Sequence, residues 1–197
     1  MIQKDRQTYR GFVCFFCAKM VELIKSVNKI RHNSTMALLL YDKFDFKKRG
    51  NIMRVAISSD HGGNNLRKEI VNLMNELGIE YQDFGPHTDD SVDYPDYAKP
   101  VADLVASGEF DRGILICGTG IGMSISANKV KGIRCALVHD VFSAKATRGH
   151  NDSNILAMGE RVIGPGLARE IAQTWLTEEF EGGRHGKRIQ KITDLEK

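Results

Sequence analysis

The sequence predicts an α/β protein whose parallel sheet is covered by helices on both faces. Two observations in the body of the chain carry that prediction. Short apolar runs alternate with stretches of helical period from Arg54 onward, the pattern of βαβ units. One run, Gly113-Ile114-Leu115-Ile116-Cys117, is apolar throughout, as in a strand buried on both faces.

Each element follows in order. Residues 55–58 form the first apolar run and end at Asp60-His61-Gly62-Gly63. Leu66, Ile70, Leu73 and Leu77 then recur at helical spacing, with Gly78 as the stop. Residues 79–84 read as a second strand, broken by Gly85-Pro86. Ala98, Val101, Ala102 and Val105 mark a helix that Gly108 ends. After the third strand at 113–117 come the loop Gly118-Thr119-Gly120-Ile121-Gly122 and a helix to about Lys129. Residues 134–138 form the fourth strand, 141–148 a helix capped by Asp140, and 154–158 the fifth strand. Leu167, Ile171 and Trp175 share one helical face, and a last helix spans about 185–195.

The 197 residues suit one domain with a proper core. Charge separates the body from what precedes it. Residues 1–52 carry eleven Lys and Arg against four acids, and the remainder carries seventeen against twenty-one. The basic leader reads as a disordered, organelle-targeting or upstream-start segment, with Met53 as an alternative start. The mildly acidic body argues against a nucleic-acid partner. No apolar run reaches the ~20 residues of a membrane span, so a cytoplasmic setting is expected. Cys14 and Cys17 form a single CxxC without the context of a metal or redox site. With no other ligand cluster at a recognisable spacing, no metal and no cofactor are expected.

In parallel sheets the ligand crevice lies beyond the carboxyl ends of the strands. Asp60, His61, Cys117 and Thr119 all fall just after predicted strands. Cys117 precedes a glycine turn and a helix start, whose unpaired N–H groups favour a thiolate over a thiol; a cysteine there also reads as a small hydrophobe closing the strand. The alternating glycines at 118, 120 and 122 let backbone amides approach an anionic oxygen, either a phosphate or an enediolate. A dinucleotide fingerprint is a poor fit, because the spacing is GxGxG and the unit is not the first βα turn. Arg184 and Arg188 share a helix face and suit a phosphate, with Arg161 and, less so, Arg148 as further candidates. His150 and Asn151, placed after an Arg148-Gly149 break, offer an acid/base and an amide. Base, oxyanion cradle, proton donor and phosphate clamp together fit proton transfer beside a carbonyl of a phosphorylated sugar.

Residues 53–197 resemble type B ribose-5-phosphate isomerase, in the family that also holds the galactose-6-phosphate isomerase subunits. The motifs are Ser59-Asp60-His61-Gly62-Gly63, Asp93-Tyr94-Pro95-Asp96-Tyr97-Ala98, ILICGTGIGMSISANK at 114–129, Gly149-His150-Asn151-Asp152 and Glu181-Gly182-Gly183-Arg184-His185. The resemblance implies a Rossmann-like three-layer α/β/α sandwich with a five-stranded parallel sheet. It implies a homodimer or homotetramer with active sites across a subunit interface. Carried over by motif, Cys117 is the base moving a proton between C2 and C1, and Thr119 with the amides of Gly118, Gly120, Ile121 and Gly122 holds the enediolate. His150 opens the furanose ring, with Asp60 near the ring oxygen or hydroxyls. His61, Arg184 and Arg188 bind phosphate, and Asn151 and Arg161 join them in binding substrate. A second branch of the family uses a glutamate just after the last loop glycine; Met123 stands there, which assigns this chain to the cysteine branch. The implied reaction is the interconversion of ribose 5-phosphate and ribulose 5-phosphate. Its alternatives are a six-carbon aldose phosphate (galactose 6-phosphate or allose 6-phosphate) or a binding module that kept the fold.

Overall fold

A computed structural model describes residues 52–197. The expectations for the leader and its Cys14-Cys17 pair lie outside the described residues. Five strands form one sheet: β1 (Arg54–Ser59), β2 (Glu80–Asp83), β3 (Arg112–Cys117), β4 (Cys135–Leu137) and β5 (Ile155–Gly159). Every pairing is parallel and the order is β2-β1-β3-β5-β4. The helices are α1 (Asn64–Leu77), α2 (Tyr94–Ala106), α3 (Ile121–Ala127), α4 (Val141–Asn151), α5 (Pro165–Thr177) and α6 (Arg184–Asp194), with a short 3₁₀ turn at His61–Gly63.

Alternation along the strands divides the core into two layers. Val55, Ile57, Ile114, Ile116, Leu156 and Met158 pack against α1 and α5 through Leu66, Ile70, Ile171 and Trp175. Ala56, Leu115, Cys117 and Ile155 face α2 and α3 through Val101, Val105, Met123 and Ala127. This is the three-layer α/β/α sandwich that the alternating pattern predicts. Burial of each large core side chain contributes ~1.5–3 kcal/mol. Trp175 is fully buried, and its indole N–H donates to Ser153 Oγ at 2.8 Å, so its polar end costs nothing.

The differences from the sequence reading lie at element ends. β4 is an edge strand of three residues, and α3 stops at Ala127. Leu77 and Leu167, at helix ends, stay exposed. The largest correction concerns α4, which runs through Gly149 to Asn151 without the predicted break. It ends one residue later, at Asp152, whose φ of 48° is left-handed. The Asp152 carboxylate holds that geometry by accepting from Arg148 Nη1 and Arg134 Nη2, both at 2.8 Å. His150 and Asn151 are therefore helical residues in the last turn of α4.

Candidate active site

The chain leaves β1 toward β2 on one side of the sheet and reaches β3 on the other, so the order reverses between β1 and β3. A crevice opens at such a point. Asp60 ends β1 there: its amide donates to Ile116 O at 3.1 Å, and its carboxylate caps the 3₁₀ turn by accepting from Gly62 N at 2.8 Å. Burial pushes the Asp60 carboxyl above its ordinary value, against the opposing pull of the Gly62 amide, His61 and Arg161. Beside it, exposed His61 accepts the Val92 N–H at Nδ1, 3.2 Å away, which leaves Nε2–H to donate outward.

A buried arginine fixes this turn from below. Arg67 pairs with Asp83, and donates to Ser59 Oγ at 3.0 Å and to Pro86 O at 2.6 Å. Glu160 holds the start of α1 from the β5 side, accepting the Leu66 amide at 2.8 Å.

Cys117 ends β3 next to Asp60 and is 5 % exposed. Its Sγ accepts the Gly120 N–H at 3.0 Å. The turn is possible only with glycine at 120: φ is 77°, and a Cβ there would sit 2.5 Å from Leu137 Cδ1 and 2.8 Å from the Met158 carbonyl carbon. Thr119 is exposed, and its Oγ1 accepts the Ile121 N–H at 3.3 Å, which leaves its hydroxyl hydrogen to donate. The loop amides are thus not all turned toward an external anion. Gly120 N–H serves the sulfur and Ile121 N–H serves Thr119. Arg161 joins this end: its amide donates to Gly118 O at 3.0 Å, and its side chain lies along Gly118.

The remaining candidates sit elsewhere. Cys117 is level with Gly159, and Gly113 with Ile155, at the start of β5. α4 ends just before that start, so His150 and Asn151 lie at the amino ends of the strands. Gly113 and Cys117 are about 13 Å apart along the strand alone. Arg184 and Arg188 belong with His150, because His185 of α6 stacks on the His150 ring with centroids 4.3 Å apart. The structure therefore brings Asp60, His61, Cys117, Thr119 and Arg161 together at one pole, and His150, Asn151, Arg184 and Arg188 at the other.

Arg148 is removed from the candidates. It is 7 % exposed, and its Nη1 is held by Asp152 and by Ser153 O at 2.6 Å. Three residues were missed. Tyr94 lays its ring against Gly122, where a Cβ would be 2.8 Å from the ring. Glu181 and His185 face His150 and form with it a group able to hold a metal ion, which amends the expectation of no such cluster. Each stands within a quoted motif, yet helical and strand periodicity give no reason to single it out.

The family model described as "Ribose/Galactose Isomerase" matches residues 55–192. The chain is 75 % identical over 145 residues to "Putative sugar phosphate isomerase YwlF" of Bacillus subtilis, covering 73 % of this chain and 97 % of that one. It is 48 % identical over 143 residues to ribose-5-phosphate isomerase B of Escherichia coli, covering 73 % and 96 %. The solved structure of Clostridium thermocellum ribose-5-phosphate isomerase B superposes with a TM-score of 0.72 at 55 % identity, covering 73 % and 97 %. A strand-end cysteine over a glycine loop, a matching family model and these identities lead to one conclusion: the chain belongs to the ribose/galactose isomerase family and is a sugar phosphate isomerase of its type B ribose-5-phosphate isomerase group.

Proposed function

We propose that the chain interconverts D-ribose 5-phosphate and D-ribulose 5-phosphate through an enediolate, with Cys117 as the base. The observation that carries the reading is the position of the Cys117 sulfur, at the strand end where the sheet order reverses and against the Gly120 amide. In this mechanism His150 assists opening of the furanose to the aldehyde. Cys117 takes the C2 proton, the Thr119 hydroxyl donates to the enediolate, the O2 proton passes to O1, and Cys117 returns its proton at C1 as the C2 oxygen becomes the carbonyl. His61, Arg184 and Arg188 hold the phosphate, with Asn151 and Arg161 against the sugar and Asp60 at its hydroxyls. General-base help of this kind supplies ~10²–10⁴-fold in rate.

The same reading requires a second copy of the chain. Cys117 and His150 are at opposite poles of one protomer, so the pole of one copy must meet the other pole of its partner, which gives two sites per dimer. Exposed apolar side chains near the Cys117 pole support such a contact: Ile121 and Ile125 on α3, Phe142 at the start of α4 and Val162 after β5.

The test is the formation of ribulose 5-phosphate from ribose 5-phosphate by the full chain, beside Cys117→Ala and His150→Ala, with the six-carbon aldose phosphates in parallel. Both variants should be nearly inactive. Mixed after dissociation and reassociation, they should recover about a quarter of wild-type activity, because half the dimers are mixed and each holds one intact site. A Cys117→Ala enzyme retaining a tenth of wild-type turnover would sink the base assignment. Mixing without recovery would sink the shared site, and turnover of only a six-carbon sugar would transfer the reaction to that substrate.

A further inference from the structure

His150, Glu181 and His185 converge from the last turn of α4, the loop before α6 and its first turn, and the ligand atoms they offer all lie within 4.8 Å of one another. Glu181 turns one oxygen toward each imidazole, Oε1 at 3.4 Å from His150 Nε2 and Oε2 at 3.5 Å from His185 Nε2. The stacked rings are 4° from parallel, so a single carboxylate reaches both. Backbone bonds fix the arrangement, with Glu181 N–H donating to Gly149 O and His185 N–H to Gly182 O, each at 3.0 Å.

Arg184 Nε donates to His185 Nε2 at 3.4 Å, a long hydrogen bond that a bound ion would replace. Two imidazoles and one carboxylate are a donor set that zinc accepts, with a fourth position left open. Bonds of ~2.0–2.1 Å to a tetrahedral ion put its ligands roughly 3.3 Å apart. Binding therefore requires half-buried His150 and exposed Glu181 to rotate inward.

We propose that His150, Glu181 and His185 form a site for a divalent transition-metal ion of the zinc class. Occupation takes the side chain assigned to ring opening, so a bound ion inhibits isomerisation. The inhibitory step rests on the proposed function; the binding itself does not. Arg184 and Arg188, on the same arm, oppose a dication and hold the affinity below that of a closed structural zinc site.

The probe is Co²⁺ added to the metal-free full-length chain and followed by visible absorption. One equivalent should bind and give a d–d band without a thiolate-to-cobalt charge-transfer band, which separates this site from Cys14 and Cys17. Glu181→Gln and His185→Gln should each weaken binding by ~10-fold or more, as losses even outside the ligand shell do. Zn²⁺ should displace the cobalt and inhibit wild-type turnover. Because His185 is buried, circular dichroism checks its variant, and the exposed Glu181→Gln decides if that variant misfolds. Absence of the band, a thiolate charge-transfer band, or undiminished binding in Glu181→Gln would overturn the site. Cobalt bound as described with turnover unaffected would overturn the inhibitory step, and with it the role of His150, while the metal site stands.

Discussion

The two poles of the sheet are built from different materials. At the carboxyl end of β3 the parts are held by backbone: the Gly120 amide on the Cys117 sulfur, the Asp60 amide on Ile116 O, and the Arg161 amide on Gly118 O. At the amino end two backbone bonds place Glu181 and His185, but the functional groups meet through side chains: two stacked imidazoles, a bridging carboxylate and arginines on a helix of which only His185 is buried. Backbone construction is close-packed and intolerant of added atoms. Side-chain construction can lose a group without disturbing the fold. A substitution that adds atoms to the first pole should therefore damage both stability and chemistry, and loss of a side chain at the second should damage function alone.

The sharpest tests use that contrast. Cys117→Ala should lower turnover by ~10²–10⁴-fold in the coupled isomerase assay while leaving the unfolding midpoint close to wild type. Gly120→Ala should break the loop itself. Left-handed strain of ~1–2 kcal/mol and overpacking of ~1–3 kcal/mol against Leu137 and Met158 should appear in urea unfolding. Arg184→Ala at the other pole should raise KM by ~10–100-fold through a lost charged hydrogen bond worth ~1.5–3 kcal/mol. Its unfolding free energy should stay within ~0.5 kcal/mol of wild type. Equal destabilisation by the Gly120 and Arg184 variants would erase the distinction between the poles.

The smallest effect concerns Asp60. Its carboxyl is raised by burial above the ordinary 3.8, so the ionised form is disfavoured in the folded protein. Its contribution is present in full below pH 3.8 and lost as pH rises through the raised value. Asp60→Asn should therefore raise the melting temperature at neutral pH, and the gain should vanish below pH 3.8 while activity falls. A variant no more stable than wild type at pH 7 would show that the carboxylate carries no strain.

The sheet and its two covering layers were legible in the sequence because strand burial and helical period are local patterns, as in 113–117 and in Leu66, Ile70 and Leu73. The Cys117 pole was legible for a related reason, since Asp60 and Cys117 follow directly on strands. The split between poles was not legible, because it depends on which end of α4 carries His150, and the predicted break at Gly149 hid that residue's helical position. Arg148 read like Arg184 in sequence, and only its burial against Asp152 and Ser153 assigns it to structure. Tyr94, Glu181 and His185 gain meaning only from partners far along the chain.

Arg112 offers a last lesson. Its guanidinium, lowered by burial to about 10, grips the carbonyls of Trp175, Leu176 and Glu178 and stacks on the Trp175 ring. The grip is on main chain just before the segment that carries Glu181 and α6, so it does not depend on which side chains follow. Mutation can rewrite that segment while the hinge holding it stays the same. On the proposed reading the C-terminal arm is an interchangeable fitting, through which one unaltered sheet-end chemistry of sulfur and glycine can be refitted to phosphates of different reach.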